Sequence, residues 1–236
     1  MRALAIVASF WAANVPVGRF AFPGGNLTAI VDTGGTTELR KTHPKDFATY
    51  YHGLHVDAAI GADYLRDHAI ELGSVSANAD SVSLDVRTVK HQTTAFVRCT
   101  IAQTSYRMLL DTAALAWKST DTGALHPLGV IYLGRAAFDG VARRLNVAVA
   151  SAAYRIVDGR GRFIAARSLI APNTRCGDVQ RKERLIVERT DSSTYAGMKQ
   201  TTGLDVDGDV SLSAFEGSGL LIDFPHKHLV IGSVVG

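Results

Sequence analysis

Two segments of the chain share a pattern in which a short apolar run ends in the dipeptide Asp-Thr. Residues 30–33 read Ile-Val-Asp-Thr, and residues 109–112 read Leu-Leu-Asp-Thr. Small residues follow in both places. An ionised carboxylate at the end of a buried strand is costly unless it has partners. The recurrence of so constrained a feature predicts two copies of one supersecondary unit.

The segments downstream of each Asp-Thr pair also match each other. Residues 57–72 and 207–232 both begin with Asp, continue with small and apolar residues, and then reach an aromatic residue. The order of the features agrees as well as their composition, which is typical of an internal repeat. The sequence therefore predicts two unequal repeats, residues 1–92 and 93–236.

Strand patterns dominate the chain. Runs of β-forming or alternating residues occupy segments 81–89, 95–102, 105–111, 218–224 and 227–235. The last four are arranged as two hairpins. Helical patterns are scarce: residues 61–72 fit a short helix leading into a strand, and residues 135–145 fit a second helix. The predicted fold class is mostly β with a few short helices.

The composition is that of an ordinary soluble globular protein. The chain has 236 residues, of which 47% are hydrophobic and 20% charged, and this length suits one large or two small domains. The net charge is only +3 and the basic residues are scattered, so we predict no nucleic-acid partner. No stretch reaches the length of an ordinary transmembrane helix, so we predict no membrane span.

The first residues leave the location of the protein open. Residues 1–14 contain one Arg, an apolar stretch and small residues near Ala12 and Ala13. This arrangement is similar to a short secretory signal, which would direct the protein to the periplasm or out of the cell. The charged part of such a signal is minimal here, and a first buried strand explains the same residues equally well.

Cysteine and histidine spacing indicates no metal site. Cys99 and Cys176 fit either two free thiols or one disulfide, and spacing does not decide between them. His226 and His228 lie two residues apart beside a predicted turn, but no further ligands are near them in the sequence. We predict that these histidines are surface residues and that the protein uses no metal and no cofactor.

The two Asp-Thr motifs resemble the pepsin and retropepsin superfamily of aspartic peptidases. The pattern of that family is two apolar residues, then Asp-Thr-Gly, then a small residue. Residues 30–35 match it fully, and residues 109–114 match it except that Ala113 stands where Gly is expected. The family also has an apolar pair followed by Gly and a short helix, which residues 59–72 match. The resemblance implies acid-protease-like lobes, each a closed barrel, whose Asp loops meet at a central cleft.

The resemblance also implies the chemistry of the site. Asp32 and Asp111 would be the catalytic residues, two adjacent carboxyls that share one proton because both cannot easily ionise. One would act as base toward a bound water while the other polarises the scissile carbonyl of a peptide or protein substrate. The threonines would hydrogen-bond across the two loops, and the small residues after them would let backbone N–H groups approach the carboxyls. The supporting loop residues are then Thr33, Gly34, Thr112 and Ala113.

Some features depart from the family pattern and favour a different class of function. Ala113 adds a Cβ where close approach requires Gly, and Ser211 occupies the Gly position of the second downstream motif. The interval from Asp32 to Gly61 also leaves little room for a flap over the substrate. The alternative is therefore a catalytically inactive protein of this fold that acts as a binding or scaffolding module.

Residues 126–204 cannot be assigned motif by motif, but residues 154–170 fit a hairpin around an Asp-Gly turn. This hairpin is a candidate flap or an ordinary surface hairpin. A second Asp-Thr-Gly at residues 121–123 lacks a preceding apolar strand, so we interpret it as a turn. If the first repeat cannot complete a lobe, two copies of the second could pair in a homodimer, as retropepsins do.

Overall fold

The structure is a computed structural model of the chain. It describes residues 4–6, 10–12, 15–22, 24–42, 56–72, 79–89, 92–119, 123, 125–158, 162–190, 192–211 and 219–232. Strands hold far more of these residues than helices do, which confirms the mostly β fold class.

In chain order the first ten strands are β1 Leu4–Ile6, β2 Phe10–Ala12, β3 Val15–Phe22, β4 Gly25–Asp32, β5 Glu38–Leu39, β6 Ala58–Gly61, β7 Ala69–Leu72, β8 Asp80–Ser83, β9 Asp85–Val89 and β10 Gln92–Ile101. The following strands are β11 Thr104–Leu110, β12 Leu115–Ser119, β13 Leu125–Gly129, β14 Ile131–Gly134, β15 Ala150–Val157, β16 Phe163–Cys176, β17 Val179–Arg189, β18 Gly208–Val210, β19 Gly219–Asp223 and β20 His228–Gly232. The helices among the described residues are α1 Ala62–Leu65, α2 Arg135–Leu145 and α3 Ser192–Thr202.

One five-stranded sheet, in the order β2-β3-β4-β6-β5, carries the first Asp-Thr motif. Strands β4 and β6 run parallel, with Val31 opposite Ile60 and Asp32 opposite Gly61. The first motif therefore lies at the carboxyl end of a strand whose apolar residues Ala29, Ile30 and Val31 are fully buried.

The second Asp-Thr motif lies in a ten-stranded sheet, in the order β13-β12-β15-β16-β17-β14-β18-β11-β10-β9. Here β11 and β18 run parallel, with Leu110 opposite Val210, and the N–H of Asp111 donates to the carbonyl of Val210. This arrangement repeats that of β4 and β6, so each Asp-Thr motif follows a strand with a parallel neighbour from the downstream motif.

The same register places Ser211 at the position that Gly61 holds in the first repeat. A Cβ at Gly61 would overlap the backbone of Thr36, so only glycine fits there. In the second repeat the N–H of Ser211 donates to the carbonyl of Val130. The N–H of Val130 in turn donates to the carbonyl of Ala114. Val130 thus lies between Ala114 and Ser211, and this spacing leaves room for the fully buried Ser211 side chain.

The remaining five-stranded sheet, in the order β1-β7-β19-β20-β8, combines strands from both predicted repeats. Strands β19 and β20 form the predicted hairpin, and they pair with β7 and β8 respectively. Strands β1 and β2 fall within residues 1–14, the segment for which the sequence left a signal and a first strand open. The repeat boundary near residue 92 stays a prediction.

The predicted hairpin of β10 and β11 is confirmed, and so is the helix at 135–145, which is α2. Helix α2 buries Phe138 and Val141 against the sheet. Segment 61–72 forms α1 followed by β7, as predicted. The predicted β pattern over 81–89 is confirmed, but it forms two strands, because the chain changes sheets at the buried residue Leu84. Strand β8 pairs with β20, whereas β9 pairs with β10.

The two cysteines, whose state the sequence left open, form a disulfide between β10 and β16. Cys99 and Cys176 are both buried and lie opposite each other where these strands pair antiparallel. The bond joins residues 77 positions apart. It links β10, which lies next to the edge strand β9, to β16 of the long β16–β17 hairpin. None of the helices described has the length and apolar character needed to cross a membrane.

Candidate active site

The two Asp-Thr loops are joined by reciprocal hydrogen bonds between their threonines. The Thr33 hydroxyl donates to the carbonyl of Leu110 over 2.6 Å, and the Thr112 hydroxyl donates to the carbonyl of Val31. Each hydroxyl oxygen also accepts the other threonine's N–H, both over 3.1 Å. Both threonines are fully buried, so these bonds hold the loops in a fixed relative position.

The carboxyls of Asp32 and Asp111 are held in the same way within their own loops. The N–H of Gly34 donates to Oδ1 of Asp32 over 3.2 Å, and the N–H of Ala113 donates to Oδ1 of Asp111 over 3.0 Å. Alanine at position 113 therefore keeps the hydrogen bond that glycine makes in the first repeat. The structure brings together all six residues predicted for the site: Asp32, Thr33, Gly34, Asp111, Thr112 and Ala113.

Gly34 lies directly against the aspartate of the other loop. A Cβ built on Gly34 would sit 2.5 Å from Cγ of Asp111, closer than two carbon atoms can approach without bonding. Neither Gly34 nor Ala113 has a positive φ, so the requirement for glycine at 34 is one of space alone. Ala113 packs against an apolar cluster that includes Ile30 and Trp117, which explains why a methyl group fits on that side.

The environment of Asp111 favours its protonated form. Burial raises the pKa of Asp111 well above its ordinary value of 3.8, and the negative charge of Asp32 raises it further. Asp209 acts in the same direction, whereas the Arg189 guanidinium and the N–H of Ala113 oppose it. Because the charge of Asp32 acts on Asp111, the two carboxyls titrate as a pair, and the raised pKa of Asp111 favours a proton on that pair.

Both aspartates line a cavity of about 700 Å³. One wall is apolar and consists of Leu115, Trp117, Ile156 and Val157. A cavity of this size, lined by two carboxyls and an apolar wall, is suited to binding an organic ligand.

The predicted hairpin at 154–170 is confirmed as β15 and β16, and two of its residues, Ile156 and Val157, belong to the apolar wall. Phe163 packs edge-on against Trp117, with ring centroids 5.1 Å apart. The hairpin thus lies beside the two aspartates, as a flap requires, although its tip at 159–161 is outside the described residues.

Sequence reasoning missed a buried ion pair beside the cavity. Arg189 of β17 donates to Oδ2 of Asp209 over 3.0 Å, and the Tyr195 hydroxyl donates to the same oxygen over 3.2 Å. The Arg189 guanidinium also stacks over the ring of Tyr132, 5.2 Å from its centroid. The available signal was an aspartate within the short strand 208–210, where the matching residue of the first repeat, Ala59, is apolar.

Other predicted features lie away from this site. His226 and His228 are exposed at the β19–β20 turn, as predicted, and Nδ1 of His226 pairs with Asp223. Gly123 lies between the antiparallel strands β12 and β13 and has a φ of +79°. Residues 121 and 122 of the predicted turn lie outside the described residues. The described residues contain no group of three or more His, Cys, Asp and Glu side chains placed to hold a metal ion.

No protein-family model, no curated protein and no solved structure matches this chain. Its function is therefore inferred from the geometry of the site.

Proposed function

We propose that this protein is an aspartic-type endopeptidase that hydrolyses peptide bonds with a water molecule activated by Asp32 and Asp111. The observation that supports this most strongly is the reciprocal bonding of Thr33 and Thr112, which fixes the two aspartate loops in matching positions. Each carboxyl accepts the N–H two residues onward, and both face one cavity.

The two carboxyls have different roles in the proposed reaction. Asp111, whose pKa is raised, carries the shared proton and transfers it to the scissile carbonyl oxygen as the water attacks. Asp32, ionised, takes a proton from water as the water oxygen attacks the carbonyl carbon. The C–N bond then breaks as the nitrogen receives that proton, and Asp111 recovers its own from the collapsing intermediate. No metal and no covalent intermediate is needed.

The architecture supports a single-chain site. In our proposal, β4 with β6 and β11 with β18 are the centres of two acid-protease-like lobes, each a closed barrel, and the sheet of β1, β7, β19, β20 and β8 joins them. Both aspartates come from one chain, so the dyad does not require a homodimer.

The substrate we propose is an extended peptide or protein segment. The apolar wall of the cavity would contact side chains next to the scissile bond, while the hairpin of β15 and β16 covers it. The buried Cys99–Cys176 disulfide supports a periplasmic or secreted location, because such bonds persist in oxidising compartments.

The test is cleavage of an unbiased peptide mixture between pH 3 and pH 7, read by mass spectrometry. We expect Asp32→Asn and Asp111→Asn each to abolish cleavage, because either change removes one of the two carboxyls that share the proton. Asp67→Asn is the matched control: Asp67 is exposed and pairs only with Arg66 in the described structure. Its cleavage pattern should equal that of the wild type.

Two results would contradict the proposal. One is cleavage that survives in Asp32→Asn and Asp111→Asn. The other is a folded wild type that cleaves nothing. The second result would favour the binding or scaffolding module, which Ala113 and Ser211 suggest. Retention of peptides on the immobilised wild type, without cleavage, would support that function directly.

A further inference from the structure

Arg189 and Asp209 form an ion pair in the wall of the catalytic cavity. The Asp209 side chain is 1% exposed and that of Arg189 is 26% exposed, and Arg189 lines the cavity that contains both catalytic carboxyls. The pair is fixed from two sides, since Tyr195 donates to Asp209 and the Tyr132 ring lies under the guanidinium.

The first repeat shows that the fold does not require this pair. Asp209 lies opposite Leu109 in the parallel pairing of β11 and β18, one residue before the Leu110–Val210 pair. The matching position in the first repeat is Ala59, which lies opposite Ile30. The same strand arrangement is therefore built there with a buried methyl group in place of the carboxyl.

A buried ion pair is also a poor source of stability. The cost of removing both charges from water largely cancels their attraction, and apolar residues often stabilise the same position better. Neither the strand arrangement, which the first repeat forms without an ion pair, nor stability therefore explains the Arg189–Asp209 pair. Its position beside Asp111 suggests an electrostatic role.

We propose that Arg189 is a positioning residue for the dyad: its guanidinium, held in place by Asp209, supplies the positive charge that favours the singly ionised form of Asp32 and Asp111 over the doubly protonated form. This inference rests on the proposed function. Arg189 does not take part in proton transfer. It acts through the dyad, by lowering the free energy of the negative charge that the pair must carry to activate water.

The other groups around Arg189 are consistent with this role. The titratable groups that face it come from separate elements: Asp111 after β11, Tyr132 on β14, Asp209 on β18 and Tyr195 on α3. Burial raises the pKa of both tyrosines, so they stay neutral over the acidic range. Burial raises the pKa of Asp209, while Arg189 and the hydrogen bond from Tyr195 lower it, and Asp32 acts on both Asp111 and Asp209. Arg189 is therefore the cation of the cluster, and its charge lowers the pKa of Asp111 while Asp209 raises it.

The test combines a pH–activity profile with a titration that needs no activity. Carboxyl ¹³C resonances of Asp32 and Asp111, assigned with the two Asn variants, report the protonation of the dyad directly. In Arg189→Met we expect the dyad titration and the acid limb of kcat/KM to move to higher pH by about one unit, the effect of losing one neighbouring charge. Arg189→Lys, which keeps a cation, should move both by less.

Two further variants reverse or cancel the effect. Asp209→Asn removes the negative charge that opposes Arg189 wherever Asp209 is ionised, so over that pH range the titration should move to lower pH. In Arg189→Met with Asp209→Asn, both charges are absent and the titration should return close to that of the wild type. A merely structural role for Arg189 predicts lower activity with no displacement of the profile.

The outcomes separate this inference from the proposed function. If the wild type cleaves peptides and no variant moves the titration, the inference is wrong and the proposed function stands. If the wild type cleaves nothing but the titration moves as described, the electrostatic role stands and the proposed function fails. Should Arg189→Met not fold, Arg189→Gln decides, because it keeps a hydrogen-bond donor toward Asp209 without the charge, and an unmoved titration in that variant would overturn the inference.

Discussion

Gly34 of the first loop contacts the Asp111 carboxyl of the second, with no room for even a methyl group between them. The matching contact in the opposite direction is not as tight, since position 113 holds an alanine that packs against apolar neighbours. The two loops are therefore alike in their hydrogen bonds but unequal in the space beside the residue that follows Asp-Thr: position 113 accommodates a methyl group and position 34 does not.

This inequality predicts opposite results for two reciprocal substitutions. Gly34→Ala should push the Asp111 carboxyl from its position and lower kcat/KM by about 100-fold, the order of effect for a misplacement of about 1 Å. Ala113→Gly should leave kcat/KM within a few-fold of the wild type and reduce the free energy of unfolding by no more than about 1 kcal/mol, from added backbone entropy. Kinetics and urea unfolding measure the two quantities. Equal losses of activity in both variants would contradict the asymmetry.

Thr33→Val should destabilise the protein strongly. The change leaves the Leu110 carbonyl without its donor and the Thr112 N–H without its acceptor, and each unpaired buried group costs about 1 to 3 kcal/mol. The matched control is Thr42→Val, because the exposed Thr42 hydroxyl also donates to a carbonyl, that of Leu39. We expect urea unfolding to show a loss of about 3 kcal/mol for Thr33→Val and under about 0.5 kcal/mol for the control, as for other surface substitutions.

The disulfide should contribute a large share of the stability. A crosslink between residues 77 apart restricts the unfolded chain, and the chain-entropy relation gives about 4.5 kcal/mol for a loop of this size. Replacing both Cys99 and Cys176 by Ala should lower the free energy of unfolding by about that amount. Reductant should then destabilise the wild type but leave the double variant unchanged. Equal effects of reductant on both proteins would show that the bond does not form.

Asp111→Asn should stabilise the protein increasingly as the pH rises. Because folding raises the pKa of Asp111, the folded state binds the proton more tightly than the unfolded state between pH 3.8 and the raised value. Wild-type stability therefore falls through this window, by up to about 1.4 kcal/mol per pH unit for one proton, whereas the asparagine variant lacks this loss. The difference in unfolding free energy should vanish near pH 3 and grow toward pH 7. Asp67→Asn should show no such trend.

Elements whose pattern is local were predictable from the sequence. Helix α2 matched residues 135–145 because its apolar residues recur at helical spacing, and the hairpins matched because turn residues separate strand-forming runs. The aspartate loops were predictable for another reason. A carboxylate at the end of an apolar strand is costly, and it occurs twice with the same neighbours.

Features that depend on distant pairing were not predictable. The alternation of residues 81–89 continues through Leu84, yet the chain enters another sheet there because β8 finds its partner in β20. The Cys99–Cys176 bond follows from the pairing of β10 with β16, which the spacing of the two cysteines in the sequence does not predict. Arg189 and Asp209 lie on different strands, and only their packing against β14 and α3 makes them part of the site.

The five-stranded sheet formed by β1, β7, β19, β20 and β8 also affects how the protein is made. Strands β7 and β8 leave the ribosome long before residues 219–232, which contain their partners. Until then Ile70 and Val82, both fully buried in the folded sheet, lack the neighbours that cover them. Completion of this sheet is a late, non-local event, and such pairings form slowly. A nascent chain paused before residue 219 would therefore expose an open strand edge, which is a binding site for chaperones and a target for proteases.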